Sequence, residues 1–312
     1  MPGEVSRRDF LKRAAILGAG AAAASIGCAH RMIGSSAVAT SPLAPRHVPP
    51  IDLAVARGDD AAQNCLAAVR SLGGFEKFVR TGDRVVIKPN PVGTNPPDRA
   101  INTHPDMIDA VVRECRRAGA REVVVVSHDD IRSFQGNGTA AAVERAGGLV
   151  RALQERNQFR DVAIPRGRVL QTVGVSTDVL DCDLFINMPI AKHHAGTHFT
   201  GTLKNLMGAV WDRNYYHQMD LHQCIAEAAT VIRHDLVILD ANHVLLTNGP
   251  VGPGQVLRAR QVVAGIDPVA VDAYACRYLE FDPREIGHLR AAHALGVGEI
   301  DLGRLTIREF DA

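Results

Sequence analysis

Four consecutive valines, Val123 to Val126, sit inside the run "REVVVVSHDD" with no polar residue between them. A strand that is wet on one face alternates apolar and polar residues, so an unbroken apolar run needs a sheet covered on both faces, usually by helices. "IDLAVAR", "DRVVIKPN", "DCDLFINMP", "DLVILDA" and "ARQVVAG" have the same strand character. Between and after them lie segments of helical period: "DAAQNCLAAVRSL", "THPDMIDAVVRECRRAGA", Asp220 to Arg233, "DPVAVDAYACRYL" and "REIGHLRAAHAL". In the second of these, Thr103 and Asp106 have capping-box spacing, Pro105 suits the first turn and Gly119 the end. The alternation predicts an α/β layered sandwich with a central, largely parallel or mixed sheet flanked by helices.

The chain has 312 residues, 46% of them hydrophobic, enough for a sizeable core. Thirty-five basic side chains against thirty-four acidic ones give a net charge of +1, so no global field gathers nucleic acid or an anionic membrane. Aromatic residues make up 4%, too few for the stacking platforms that hold single strands, and nucleic acid is not an expected partner. An anion site must therefore be local, and its ligand a small molecule.

The first residues read as an address. "SRRDFLK" is followed by a weakly apolar Ala/Gly run from Ala14 to Gly27, close to a twin-arginine export signal. That run is shorter than the about 20 apolar residues a membrane span needs. "AVAT" offers cleavage after Ala39, giving a signal over residues 1–39, a Pro-rich linker over 40–50 and a single α/β domain over 51–312. Lipidation at Cys28 is the weaker alternative, because Ser25 stands where leucine is usual. The expected first partner is the twin-arginine translocation machinery, and the destination periplasmic or extracellular. Cargo of that route is already folded and often carries a cofactor, but none is named here. Cys65, Cys115, Cys182, Cys224 and Cys276 form no C-x-x-C pair, so there is no iron–sulfur motif, and most are expected in the core.

In open α/β sheets a ligand lies beyond the carboxyl ends of the strands. Residues just after the apolar runs are Lys88 and Asn90; Asn187, Lys192, His193 and His194; Asp240 and Asn242; and Asp267. Singly, each has a bland explanation: Asp267 before Pro268 is a good N-cap, and Asp240 could hold turn amides. Downstream, Thr200, Gly201 and Thr202 precede a helix-like "LKNLMGAV", whose free N–H groups beside Lys204 and Asn205 would suit an anion. His194 and His198 have i, i+4 spacing, but Gly196 argues for a loop, and no H-E-x-x-H is present. Proton transfer by His193, His194 or His198 is therefore expected ahead of metal binding. "NGPVGPGQ", Asn248 to Gln255, is a turn or a flap over the site.

"VVIKPN", "NMPIAKHHAGTHFTGTLKNLMG", "LVILDANHVLLTNGPVGPG" and "VVAGIDPVAVDAYAC", in this order, resemble the domain of unknown function 362 family. The most specific block holds Lys192, His194, Phe199, Thr200, Gly201, Lys204, Asn205 and Gly208. The resemblance implies no assigned activity. Some members carry an added ferredoxin-type domain, which implies a redox partner protein, but this chain lacks that domain. Two classes fit the polar set: an exported enzyme or cofactor-handling protein acting on an anionic small molecule, and a non-catalytic binding or cofactor-maturation factor.

Overall fold

The computed structural model describes residues 46–312. The expected export signal, the cleavage after Ala39 and the alternative lipid on Cys28 lie outside the described residues, as does the linker up to residue 45. Its remaining part is docked. Arg46 pairs with Asp83, and His47 Nε2 lies 2.8 Å from the Leu72 carbonyl with its ring edge-on to Phe78.

The main path of the central sheet runs, from edge to edge, Ile307–Asp311, Leu53–Arg57, Gln261–Gly265, Leu236–Leu245, Leu184–Met188, Arg84–Pro89, Glu122–Ser127 and Leu149–Ala152. All but Gln261–Gly265 point the same way; that strand is antiparallel to both neighbours. The expected mixed, largely parallel sheet is what forms. The valine run shows why. Val123 and Val125 enter one core with the helices Ala61–Ser71 and Pro105–Arg117, through Cys65, Val69, Ile108 and Val112. Val124 and Val126 enter the opposite core with the helices Leu221–Ala229, Pro268–Ala275 and Gly287–Ala294. Each such side chain taken from water contributes about 1.5–3 kcal/mol, so both faces resist exposure. The five cysteines are all buried and free, as a core role requires.

The helix Pro105–Arg117 begins differently from the expected capping box. His104 is its N-cap, Nδ1 accepting from the Asp106 amide, while the Thr103 hydroxyl accepts from the Asn90 amide and donates to the Met188 carbonyl. Thr103 thus ties together the ends of two adjacent strands. A small antiparallel pair, Phe159–Ala163 with Thr172–Ser176, lies apart from the main sheet. No described helix is long and apolar enough to cross a membrane.

Candidate functional site

From Arg84–Pro89 the chain proceeds to the neighbouring strand Glu122–Ser127 on one side; from Leu184–Met188 it proceeds to Leu236–Leu245 on the other. Opposite departures from two adjacent parallel strands leave a crevice beyond their carboxyl ends. Lys88 faces Asn187 across this pair in register. After Pro189 the second strand continues as Ile190–His194 and folds back through His198–Thr200, pairing Lys192 with Thr200 and His194 with His198. The two histidines are therefore cross-strand neighbours rather than residues one helical turn apart.

The crevice holds a cleft of about 260 Å³, lined among others by Lys88, Asn90, Asp129, Lys192, His194, Thr200, Lys204, Asn205, Arg213 and His217. Lys88 and Lys192 are each 1% exposed, while Lys204 is half-buried. Lys192 Nζ donates to Asn90 Oδ1 at 2.9 Å and to the Ile101 carbonyl at 2.7 Å. Lys88 Nζ donates to the Pro89 carbonyl and, at 3.3 Å, to Asn205 Oδ1. Neither ammonium has a carboxylate in contact. Lys204 Nζ touches Met207 Sδ at 3.1 Å, a weak acceptor. Burial pushes Lys88 and Lys192 down to about 7 and Lys204 to about 8, with neighbouring cations adding to the fall in each case. Asp129 opposes the fall in the first two.

Asn205 organises the floor. Its amide nitrogen donates to the Lys88 carbonyl and to Asn187 Oδ1, at 3.0 and 2.7 Å, and its oxygen accepts from Asn90 Nδ2 at 3.0 Å. Thr200 is buried on the wall, and its hydroxyl finds no partner among the described residues. Burial, then Lys204 and Lys192, hold His194 down at about 3, so it is a neutral ring whose Nδ1 accepts from the Gly196 amide. Burial also lowers His217.

Not every expected residue arrives here. His193 Nδ1 accepts from the Gly249 amide at 3.0 Å, which pins the "NGPVGPGQ" loop and brings Pro250 to the cleft wall. His198 is exposed at the far side of the hairpin, 6.4 Å from the Phe281 ring. Asp240 accepts from the amides of His104 and Asn242, so it braces a helix start and its own strand, away from the cleft. Asp267 caps the helix Pro268–Ala275 through Val269 and Ala270 and also accepts from the Glu299 amide. The expectation of free amides at the start of Thr202–Asn205 is corrected by Asp272, which takes the N–H groups of Thr202 and Leu203 at 2.5 and 3.0 Å. Burial lifts that carboxyl to about 7 against the pull of these amides. Gly201 serves this contact, since a Cβ there would lie 2.2 Å from Asp272 Oδ1.

Asp129 and Arg213 join the cleft without having been expected. Arg213 reaches Asp129 at 3.3 Å, and Ser127 Oγ also donates to that carboxylate. Asp129 follows a strand end and was open to the same rule that selects Lys88; Arg213 sits in the short helix Arg213–Tyr216 with no periodic signal around it. A second cavity of about 330 Å³, walled by His128 stacked on Trp211, shares Asp129, Arg213 and Asn214 with the cleft. Among the described residues no group of three or more His, Cys, Asp or Glu is arranged to hold a metal ion.

A thylakoid-associated protein of Synechocystis sp. is 30% identical over 259 residues, 76% of each chain. Among solved structures, the lactate racemase apoprotein from Thermoanaerobacterium thermosaccharolyticum matches with a TM-score of 0.45 at 11% identity, over 79% of this chain and 57% of that one. A structural-genomics protein from Thermotoga maritima matches with a TM-score of 0.44 at 13% identity, over 72% and 60%. The chain thus spans less than two thirds of either. Residues 85–277 match the family described as "Domain of unknown function (DUF362)", a stretch that holds every residue of the cleft, and the chain belongs to that family.

Proposed function

We propose that this protein binds a small anionic molecule, one bearing a carboxylate or phosphate, in the cleft at the carboxyl ends of Arg84–Pro89 and Leu184–Met188. The observation that carries this reading is the imbalance of charge: Lys88, Lys192, Lys204 and Arg213 line about 260 Å³ of space with Asp129 as the one carboxylate among them. Buried amines lacking a counter-charge are held away from their charged form, and an anion that restores it gains charge-assisted hydrogen bonds. The unpartnered Thr200 hydroxyl adds a neutral contact. Neutral His194, held down at about 3, has no charge-bearing proton to give and is a poor base, so it serves as a hydrogen-bonding wall of the cleft. An extracytoplasmic or membrane-associated setting is part of the proposal, supported by "SRRDFLK" and by the thylakoid-associated relative.

The test is thermal unfolding with phosphate, succinate and chloride at matched ionic strength. At about 100 times Kd a specific anion stabilises the fold by roughly 2.7 kcal/mol. Lys204→Ala and Arg213→Ala should remove that shift with little effect on the unliganded protein. Equal shifts in wild type and both variants would mean general salt stabilisation and no anion site.

A further inference from the structure

The chain contains five lysines and thirty arginines, and three of the five lysines line this one cleft. Elsewhere its basic side chains are almost all guanidinium: every Lys or Arg ion pair among the described residues uses arginine. Arginine would also be the better clasp for a carboxylate or phosphate, because its planar fork binds bidentately. What lysine can do and arginine cannot is lose its proton near neutral pH and present a lone pair. The use of amines here is thus not explained by anion holding alone.

Lys192 has the geometry for that chemistry. A neutral primary amine carries two N–H bonds and one lone pair, and Nζ has two acceptors, Asn90 Oδ1 and the Ile101 carbonyl. With both N–H bonds directed to protein, the third position is left for the cleft that Lys192 lines. The two acceptors are neutral, so neither holds a proton on the amine as a carboxylate would. Burial disfavours a charge at Nζ and Lys88 and Lys204 repel it, the arrangement that activates amines beside other cations, while Asp129 on the same cleft works the other way.

We propose that Lys192 is a nucleophile that condenses with the carbonyl carbon of a small anionic oxo compound whose carboxylate or phosphate is held by Lys204 and Arg213. This rests on the reading of the cleft as an anion site. The Nζ lone pair forms a bond to the carbonyl carbon as the C=O π pair moves to oxygen, and a proton passes from nitrogen to that oxygen to give the carbinolamine. One further proton from solvent lets the hydroxyl leave as water, and the nitrogen lone pair forms the C=N⁺ bond of an iminium. The net change is amine plus carbonyl plus one proton to iminium plus water, without oxidant or reductant.

The experiment incubates the folded protein at about neutral pH with pyruvate, or with glyceraldehyde 3-phosphate, and sodium cyanoborohydride, which reduces an iminium to a stable secondary amine. Lysine adducts are then mapped by peptide mass spectrometry. Exposed Lys77, outside the cleft, is the internal reference. Lys192 should be labelled at least about tenfold above Lys77 by one of the two probes, saturably and with competition by succinate or phosphate. Lys192→Arg should lose the adduct; should that variant fail to fold, the wild-type map still decides. Labelling of Lys192 no higher than Lys77 with both probes, or an adduct confined to Lys88, overturns the assignment. If phosphate or succinate still raises the melting temperature in that case, the anion site stands and only the nucleophile is lost.

Discussion

Lys88 runs beneath Gly208 so closely that a Cβ on that glycine would lie 2.4 Å from Lys88 Cε and 2.6 Å from Nζ. Ser127 Oγ would be 2.7 Å away. Gly208→Ala should therefore displace the ammonium or the backbone of Leu206–Ala209, whose Gly208 carbonyl accepts from the His128 amide. Overpacking of this kind costs about 1–3 kcal/mol, readable as a lower urea midpoint. The same variant should lose most of the anion-dependent thermal shift. An unchanged midpoint with a full shift would show that the lysine has room the geometry does not grant it.

Asn205 is more costly to lose than any lysine. Asn205→Ala strips partners from Asn187, from Asn90 and from the Lys88 carbonyl, all buried. Each stranded group costs about 1–3 kcal/mol, so a total near 3 kcal/mol is expected after relaxation. Asn205→Asp gives the neighbouring lysine a counter-charge and should abolish the anion response, but its second oxygen faces the Lys88 carbonyl and Asn187 Oδ1, acceptor against acceptor, so it should cost at least as much stability. Chemical denaturation of the two variants, with and without phosphate, separates these outcomes.

The pH dependence has a definite sign. Lys88 and Lys192 titrate near 7 in the folded protein against 10.5 for an ordinary lysine. Between those values the unfolded chain binds more protons than the native one, so stability rises with pH across about 7 to 10.5. Each fully buried lysine adds up to about 1.4 kcal/mol per pH unit in that window. Anion binding favours the protonated amines and runs the other way: the ligand-induced shift should be larger at about pH 6 than at about pH 9. Denaturant titrations at the two pH values, with and without phosphate, check both slopes, and a ligand shift that grows with pH would contradict the assignment of the lysines as its partners.

Asp272→Asn tests the internal carboxylate. One of its two oxygens becomes an NH₂ group facing the amide of Thr202 or Leu203, donor against donor. About 2 kcal/mol of stability should be lost, mostly from the segment that carries Lys204 and Asn205. Hydrogen exchange should show faster opening of residues 202–205 than of the central strands.

The sheet was legible because its strands are apolar on both faces, and the rule of strand ends selected Lys88, Asn90 and Lys192, which line one cleft. The same rule misplaced Asp267 for a reason the sequence does not display. Gln261–Gly265 is the one reversed strand on the main path of the sheet, so its carboxyl end lies beside Leu53 and Val237, at the amino ends of its neighbours and on the opposite rim from the cleft. Asp240 fails differently: it lies within the long strand Leu236–Leu245, where the pairing with Ile190–His194 is irregular, and its carboxylate turns to backbone amides. Strand direction and side-chain face are tertiary outcomes, set by pairing partners far away in sequence. Asp272, seventy residues from the amide it caps, left no local mark at all.

That distance has a bearing on how the protein comes to have a site. Segments around positions 88, 129, 192, 205 and 213 meet only once the sheet has closed, and the turn bearing Lys204 is fastened by a residue beyond the last central strand. Contacts of such large sequence separation form late and slowly, because loop-closure entropy must be met before they stabilise anything. A chain interrupted before Pro268 would expose the apolar strands while lacking the carboxylate that orders the turn, so ligand capture should emerge abruptly with chain completion rather than grow as synthesis proceeds.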